Sequence, residues 1–238
     1  MCDKCGIREF VFNRDPVKQL VDLLLSYKNF KKVICIAHNA QGFDGQFIFK
    51  YLVENHGERV QPTVIMNGSK IVLMQYSNVQ FIDSLNYFHM PLSSLPKAYG
   101  LPDVEKGTFP HLFNTPENQT YEGPLPPLHF YFPDSMQASE REKFLNWYNE
   151  QLANGYVFNF QNEIVKYCKQ DVKILRLACL AFKKTFVKLN VDPFADCSTI
   201  ASTCMRVYRM NFLRKNQIGI VPSNGYRLAD NQSVKAIH

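Results

Sequence analysis

The chain has 238 residues, a formal net charge of +6, 46% hydrophobic residues and 20% charged residues. This is the composition of a folded globular protein with a sizeable core, in one large or two small domains, and it excludes a disordered or fibrous chain. The basic balance suits a polyanionic partner without requiring one. No apolar stretch approaches the length of a membrane span and no secretory signal opens the chain, so an intracellular, soluble protein without a membrane partner is expected.

The seven cysteines are odd in number and irregularly spaced, which argues against a disulfide framework and for a reducing compartment. Cys35, Cys168 and Cys179 fall in apolar periodic segments and read as small buried hydrophobes. Cys2-x-x-Cys5 has half the spacing of a zinc ribbon or knuckle, and no matching second pair stands nearby. Most of the 19 Phe and 12 Tyr are core material, with a minority free to stack on bases.

In chain order, Asp15-Pro16 predicts a helix start with Asp15 as N-cap, and Leu20, Val21, Leu24 and Leu25 supply its apolar face. Val33 to Ala37 is short and apolar throughout, the pattern of a central strand covered on both faces. A helix over Phe43–Asn55 follows. Thr63–Met66 and Lys70–Tyr76 flank Asn67-Gly68 and predict a hairpin whose tight turn uses positive φ angles. Val79 to Asp83 is the next strand, giving a mixed α/β order.

Nine of the 13 prolines lie between Pro91 and Pro133, which predicts an extended loop or surface insertion, centred on residues 102–138. Order resumes at Ser139-Glu140-Arg141-Glu142, read as a capping box ahead of Phe144, Leu145, Tyr148 and Leu152, with Gly155 as terminator. A long helix is expected from about Asn162 to Leu189. A last one, Ser198 to Lys215, sets apolar Ile200, Cys204, Val207 and Tyr208 beside basic Arg206, Arg209, Arg214 and Lys215.

Two segments carry chemistry. His38-Asn39-Ala40-Gln41-Gly42-Phe43-Asp44-Gly45-Gln46-Phe47 places an aspartate at a strand-to-helix junction, with an amide and two aromatic rings to handle a polar, π-rich ligand. Far downstream, Tyr167-x-x-x-Asp171 puts a phenol and a carboxylate one turn apart on one helix face. Carboxylates are hard oxygen ligands for Mg²⁺ or Mn²⁺, and two such ions about 4 Å apart can clamp the attacking and leaving oxygens of a phosphodiester. Asp44 and Asp171 suit that role, and Tyr167 could hold the attacking water. The bland reading is that Asp44 caps its helix and Tyr167 packs in a core.

His-Asn-x-x-x-Phe-Asp followed by Tyr-x-x-x-Asp resembles the second and third exonuclease motifs of family B DNA polymerases, most closely the protein-primed group of viruses, organellar plasmids and transposons. Asp83-Ser84-Leu85 is similar to that group's Ser-Leu pair, Lys106-Gly107 to its assisting lysine, and Ile218–Pro222 with Gly225-Tyr226-Arg227 to its transposon-encoded members. The resemblance implies an α/β, ribonuclease-H-like 3′–5′ exonuclease fold and a metal-dependent proofreading activity in DNA replication. Residues 1–190 would form the exonuclease-like domain, and 191–238 a helical connector toward a polymerase palm. It assigns Asp44 and Asp171 to Mg²⁺ or Mn²⁺, Tyr167 to the water and Lys106 to charge developing on the phosphate. It assigns His38, Asn39, Phe43, Phe47, Ser84 and Leu85 to the single-stranded primer 3′ end; read by itself, Ser84 is a helix cap, and one residue can serve both roles. A terminal priming protein would be a partner of the intact enzyme.

The pattern also departs from the family. No Asp-x-Glu, the family's first exonuclease motif, precedes Asp44, and the palm motifs Asp-Thr-Asp and Ser-Leu-Tyr-Pro-Ser are absent. The chain is therefore expected to cover the exonuclease region after its first strand and to end before the palm, with an incomplete two-metal site. A self-standing exonuclease of the same superfold is one alternative. The other is a single-strand-binding relic without catalysis.

Overall fold

The computed structural model describes residues 6–56, 61–102, 104–217 and 219. Cys2 and Cys5, the zinc half-site, lie outside the described residues, as does the Gly225-Tyr226-Arg227 segment.

Pro16 opens α1 (Pro16–Ser26) with the φ that a helix needs and without an N–H that the first turn would leave unpaired. Asp15 does not cap it: its backbone is left-handed, at φ 46° and ψ 60°, and its carboxylate makes no capping bond. Proline alone sets that start. β1 (Val33–Ala37) then runs into α2 (Asp44–His56), followed by β2 (Thr63–Asn67), β3 (Lys70–Tyr76) and β4 (Val79–Asp83).

The four strands form one mixed sheet in the order β1-β4-β3-β2, with β1 parallel to β4 and the other pairs antiparallel. With helices on both faces, this is the expected α/β arrangement of a ribonuclease-H-like exonuclease fold. One expectation is corrected. β1 is an edge strand among the described residues, half-buried along its whole length, and not a central one. An apolar run reports what covers a strand's two faces and says nothing of its two edges.

In the hairpin Asn67 still pairs with Lys70, so the turn is Gly68-Ser69, not Asn67-Gly68, and Gly68 supplies the positive φ of +61°. The ladder slips between Ile65 and Met66 and leaves Val72 unpaired. Asn86 donates to the carbonyl of that bulged residue at 2.9 Å. The slip turns Ile71 to the same face as Met74 and Tyr76, where they pack with Val21 of α1 and Ile48 and Leu52 of α2.

The opposite face belongs to α5 (Phe160–Val187), whose Ile174, Ala178, Cys179 and Phe182 pack with Ile82, Tyr87 and Phe88 and with Leu95 of the short α3 (Leu95–Ala98). Two more helices follow, α6 (Pro193–Asp196) and α7 (Ile200–Asn211). Phe194 of α6 joins the same core, and the Tyr87 hydroxyl donates to the Cys197 carbonyl at 2.8 Å. The segment 191–197 is thus anchored to the sheet side. α7 begins at a capping box made by Thr199 and Ser202 and buries Thr203 and Val207, while Cys204 and Tyr208, expected on its apolar face, are exposed.

The proline-rich stretch is not an extended surface loop. It holds no long element, since proline cannot donate to a helix or ladder, yet it folds into 3₁₀ turns around a second aromatic core. Phe109, Phe113, Leu125 and Tyr131 from this stretch meet Phe144 and Tyr148 of α4 (Ala138–Ala153), Phe158 just ahead of α5, and Phe160 at its start. A small antiparallel pair, β5 (Glu122–Pro124) with β6 (Val157–Asn159), closes it. The aromatic residues spaced through the prolines outweigh the missing regular structure.

Ser139 lies inside α4, whose N-cap position is Gln137, so the expected capping box is absent; Gly155 does end the helix, at φ +59°. The N-cap of α5 is Asn159, which accepts from the Asn162 N–H at 3.1 Å. Of the three cysteines read as buried, Cys179 is, Cys35 is half-buried with its thiol pushed by burial up to about 11, and Cys168 is exposed on α5.

Phe160 is fully buried and contacts both Phe109 and Phe113. Phe160→Ala is expected to cost about 3–5 kcal/mol in a urea titration, with faster amide exchange across residues 109–131. Leu152→Ala, half exposed on α4, is expected to stay within about 0.5 kcal/mol.

Candidate active site

The site starts where β1 and β4 end side by side. Ala37 pairs with Asp83 at the last position of the parallel ladder, so the segments leaving both strands emerge at one end of the sheet. Asp83 is only 3% exposed. One of its carboxylate oxygens accepts from the Asn39 N–H at 3.0 Å and the Leu85 N–H at 2.8 Å, the other from the Gln41 N–H at 2.9 Å. These charge-assisted bonds tie the turn after β1 to the turn after β4.

Asp83, not Ser84, caps the 3₁₀ turn over Ser84–Asn86. Ser84 is fully buried, and its Oγ is hydrogen-bonded to Nδ1 of His38 at 2.8 Å. Its hydroxyl therefore orients His38 and does not itself face the cleft. Asn39 takes φ +62°, the left-handed conformation that Asn tolerates better than most residues, so its presence also has a backbone reason.

A cleft of about 1060 Å³ opens between β1 and α5. His38, Asn39, Asp44, Leu85, Lys106 and Asp171 all line it. Six of the residues expected at a site therefore converge from four separate stretches of chain. Phe43 and Phe47 do not line this cleft; they stand 74% and 58% exposed at the start of α2, on either side of Asp44 in the sequence.

Lys106 reaches the cleft because its loop lies against α5. At Gly107 an added β-carbon would come 2.1 Å from the Gln170 amide oxygen and 3.6 Å from the Tyr167 ring. This close approach sets the Lys106 ammonium 5.7 Å from the centre of the Tyr167 ring. Burial raises the Tyr167 phenol above its ordinary value, with Lys106 pulling the other way. It stays a neutral hydroxyl at neutral pH, able to donate or accept. Burial also lowers the His38 imidazole, against the attraction of Asp83 and Asp171. Oδ1 of Asp171 is buried without a hydrogen-bond partner among the described residues.

The model of the family DNA polymerase type B, organellar and viral, matches residues 26–228. The chain belongs to this family. No curated protein and no solved structure gives a significant match.

Type B DNA polymerases are nucleotidyltransferases that generally use divalent metal ions, and the donors of this chain fit part of such a site. A buried carboxylate oxygen with no partner, as at Asp171, is what a cation would satisfy, and Asp44 lines the same cleft. Among the described residues, however, no three His, Cys, Asp or Glu side chains form a group able to hold an ion. Asp44 and Asp171 could contribute ligands but do not make a closed site. Among the described residues no helix is long and apolar enough to cross a membrane.

Sequence reading missed two residues of this region. Asp83 gave a local signal, a carboxylate at a strand exit followed by Ser-Leu, but its burial and its three backbone partners depend on the pairing of distant strands. His111 gave none. Its ring meets that of Tyr167 edge-on, with centroids 5.2 Å apart and planes at 82°.

Asp83→Asn replaces one accepting oxygen with an N–H group facing another N–H. It is expected to cost about 2 kcal/mol of stability in urea titration and to speed amide exchange at Asn39, Gln41 and Leu85.

Proposed function

We propose that this chain carries the 3′–5′ exonuclease region of a type B DNA polymerase and serves proofreading in DNA replication, with the 3′ end of single-stranded DNA in the cleft between β1 and α5. The observation that carries this reading is the meeting of Asp44, Asp171, Lys106 and His38 in one cleft, with Tyr167 under Lys106.

In that reading water attacks the terminal phosphorus, the bond to the 3′ oxygen of the penultimate nucleotide breaks, and a 5′-mononucleotide leaves. Mg²⁺ or Mn²⁺ bound at Asp44 and Asp171 would supply charge neutralisation and a more acidic water. The Tyr167 hydroxyl holds the water in line. The Lys106 ammonium stabilises charge on the phosphate oxygens. Asn39 and Leu85 contact the terminal nucleotides, His38 is held toward them by Ser84, and the exposed rings of Phe43 and Phe47 offer stacking surfaces worth about 1–3 kcal/mol per base.

One observation favours a second reading, a groove that grips single strands without cutting them: the described residues contain no three-ligand metal group. The two separate in one assay, release of mononucleotides from a 3′-labelled single-stranded oligonucleotide by the purified chain with Mg²⁺ or Mn²⁺. The exonuclease reading expects metal-dependent release that Asp171→Ala abolishes while oligonucleotide binding persists, and that Lys106→Ala slows about 10²–10³-fold. Binding with no release under either metal would reject it for this chain and support the binding groove.

A further inference from the structure

We propose that His111 is a positioning residue that fixes the Tyr167 phenol through its ring. The inference rests on the exonuclease reading for its consequence, but not for its geometry.

Tyr167 is half-buried on α5 at the margin of the aromatic core, where the reach of its phenol depends on the rings packed against it. The segment Lys106–His111 wraps it. The Phe109 ring lies 5.5 Å from the Tyr167 ring at 35°, and the His111 ring 5.2 Å away at 82°. Phe109 and His111 also contact each other, at 5.5 Å and 70°, and the His111 N–H donates to the Phe109 carbonyl at 3.0 Å. Phe109 is buried and is itself held by Phe160, 5.7 Å away. His111, by contrast, is exposed and touches the sheet-side core nowhere.

Two rings approaching Tyr167 at different angles leave its χ angles little freedom, and the Lys106 ammonium at 5.7 Å from the ring completes the enclosure. Phe109 is tied to the interior and forms the fixed jaw. His111 is the outer jaw, and its contact with Tyr167 is through the ring, edge to face. The chemistry needed from position 111 is therefore a flat ring of the right size, not a proton.

A hydroxyl that must hold a water in line is sensitive to small displacements, about 10²-fold for a shift of about 1 Å. Loss of the outer jaw should lower the rate of the chemical step while leaving the grip on DNA alone. A phenylalanine at the same place should keep the jaw.

The test uses the full chain in five forms: unaltered, His111→Ala, His111→Phe, His111→Ala combined with Tyr167→Phe, and Tyr167→Phe alone as reference. Circular dichroism confirms folding. Single-turnover mononucleotide release with Mn²⁺ is expected to fall about ten- to a hundredfold in His111→Ala, with oligonucleotide affinity within about twofold. His111→Phe is expected to recover most of the rate. In the Tyr167→Phe background His111→Ala should have no further effect, since the hydroxyl it positions is gone. A His111→Phe chain as slow as His111→Ala, or a full additional loss in the double variant, would overturn the proposal.

A second readout does not depend on nuclease activity. With 3-fluorotyrosine at position 167, the fluorine resonance is expected to be single and shifted from the free amino acid in the unaltered and His111→Phe chains, and to move toward the free value in His111→Ala. An unchanged resonance in His111→Ala rejects the jaw whatever the nuclease assay shows. A moved resonance in a chain that releases no nucleotide keeps the jaw and rejects the exonuclease reading instead.

Discussion

A carboxylate almost without access to water, that of Asp83, holds the ends of two parallel strands in a fixed relation by accepting three backbone N–H groups. A buried charge is tolerated only when it is compensated, and here the compensation is the geometry of the site itself. The Asn39 and Gln41 N–H groups belong to the turn that leads to Asp44. The Leu85 N–H belongs to the turn that carries Ser84 and, through it, His38. Removing the whole carboxylate would take the partner from three backbone donors and free both turns at once. The cleft's floor is in this sense built around one side chain that never reaches the cleft.

The opposite wall depends on α5. With 28 residues it extends about 42 Å, long enough to belong to two cores. Its C-terminal half packs Ile174, Ala178 and Phe182 against the sheet, and its N-terminal half packs Phe160 and Ile164 into the aromatic core built with the proline-rich stretch. Tyr167 and Asp171 lie at the changeover, and Asp171 shares the cleft with Ile34, Ile36 and Ala37 of β1. The proline-rich stretch, with its 3₁₀ turns and two-strand ladder, is what brings Lys106, Phe109 and His111 to that point. It is a structural arm of the site.

The electrostatics follow from this placement. Lys106 and Arg176 line the same cleft as Asp44 and Asp171, as does Lys183, which is paired with Asp192, so cations suited to a phosphate backbone share the cleft with carboxylates suited to a divalent ion. Burial raises the Tyr167 phenol and lowers the His38 imidazole, favouring the neutral form of each. Asp171, with its unpartnered Oδ1, lines this cleft as well. The membership of the chain in the organellar and viral type B DNA polymerases agrees with such chemistry, since that family works on polyanions with metal ions.

Much of this was legible in the sequence. Alternation and apolar runs marked β1, β3 and β4, Pro16 and Gly155 marked helix ends, and the two motifs around Asp44 and Asp171 named the carboxylates, because each of these is a property of neighbouring residues. What failed were the details that distant residues decide. The apolar run Val33–Ala37 could not announce that β1 is an edge, because hydrophobicity describes faces. Proline density announced the absence of long elements in residues 91–133 but not the aromatic core that makes the stretch compact, since those rings are spaced irregularly and find each other only in three dimensions. Asp83 and His111 are the sharpest cases. A carboxylate becomes a keystone only when another strand's turn offers it N–H groups, and a loop histidine becomes a jaw only when a helix some fifty residues away presents a tyrosine to it. Local chemistry chose the elements and the reactive groups. Their convergence was decided by long-range pairing and packing, which no short window of sequence contains.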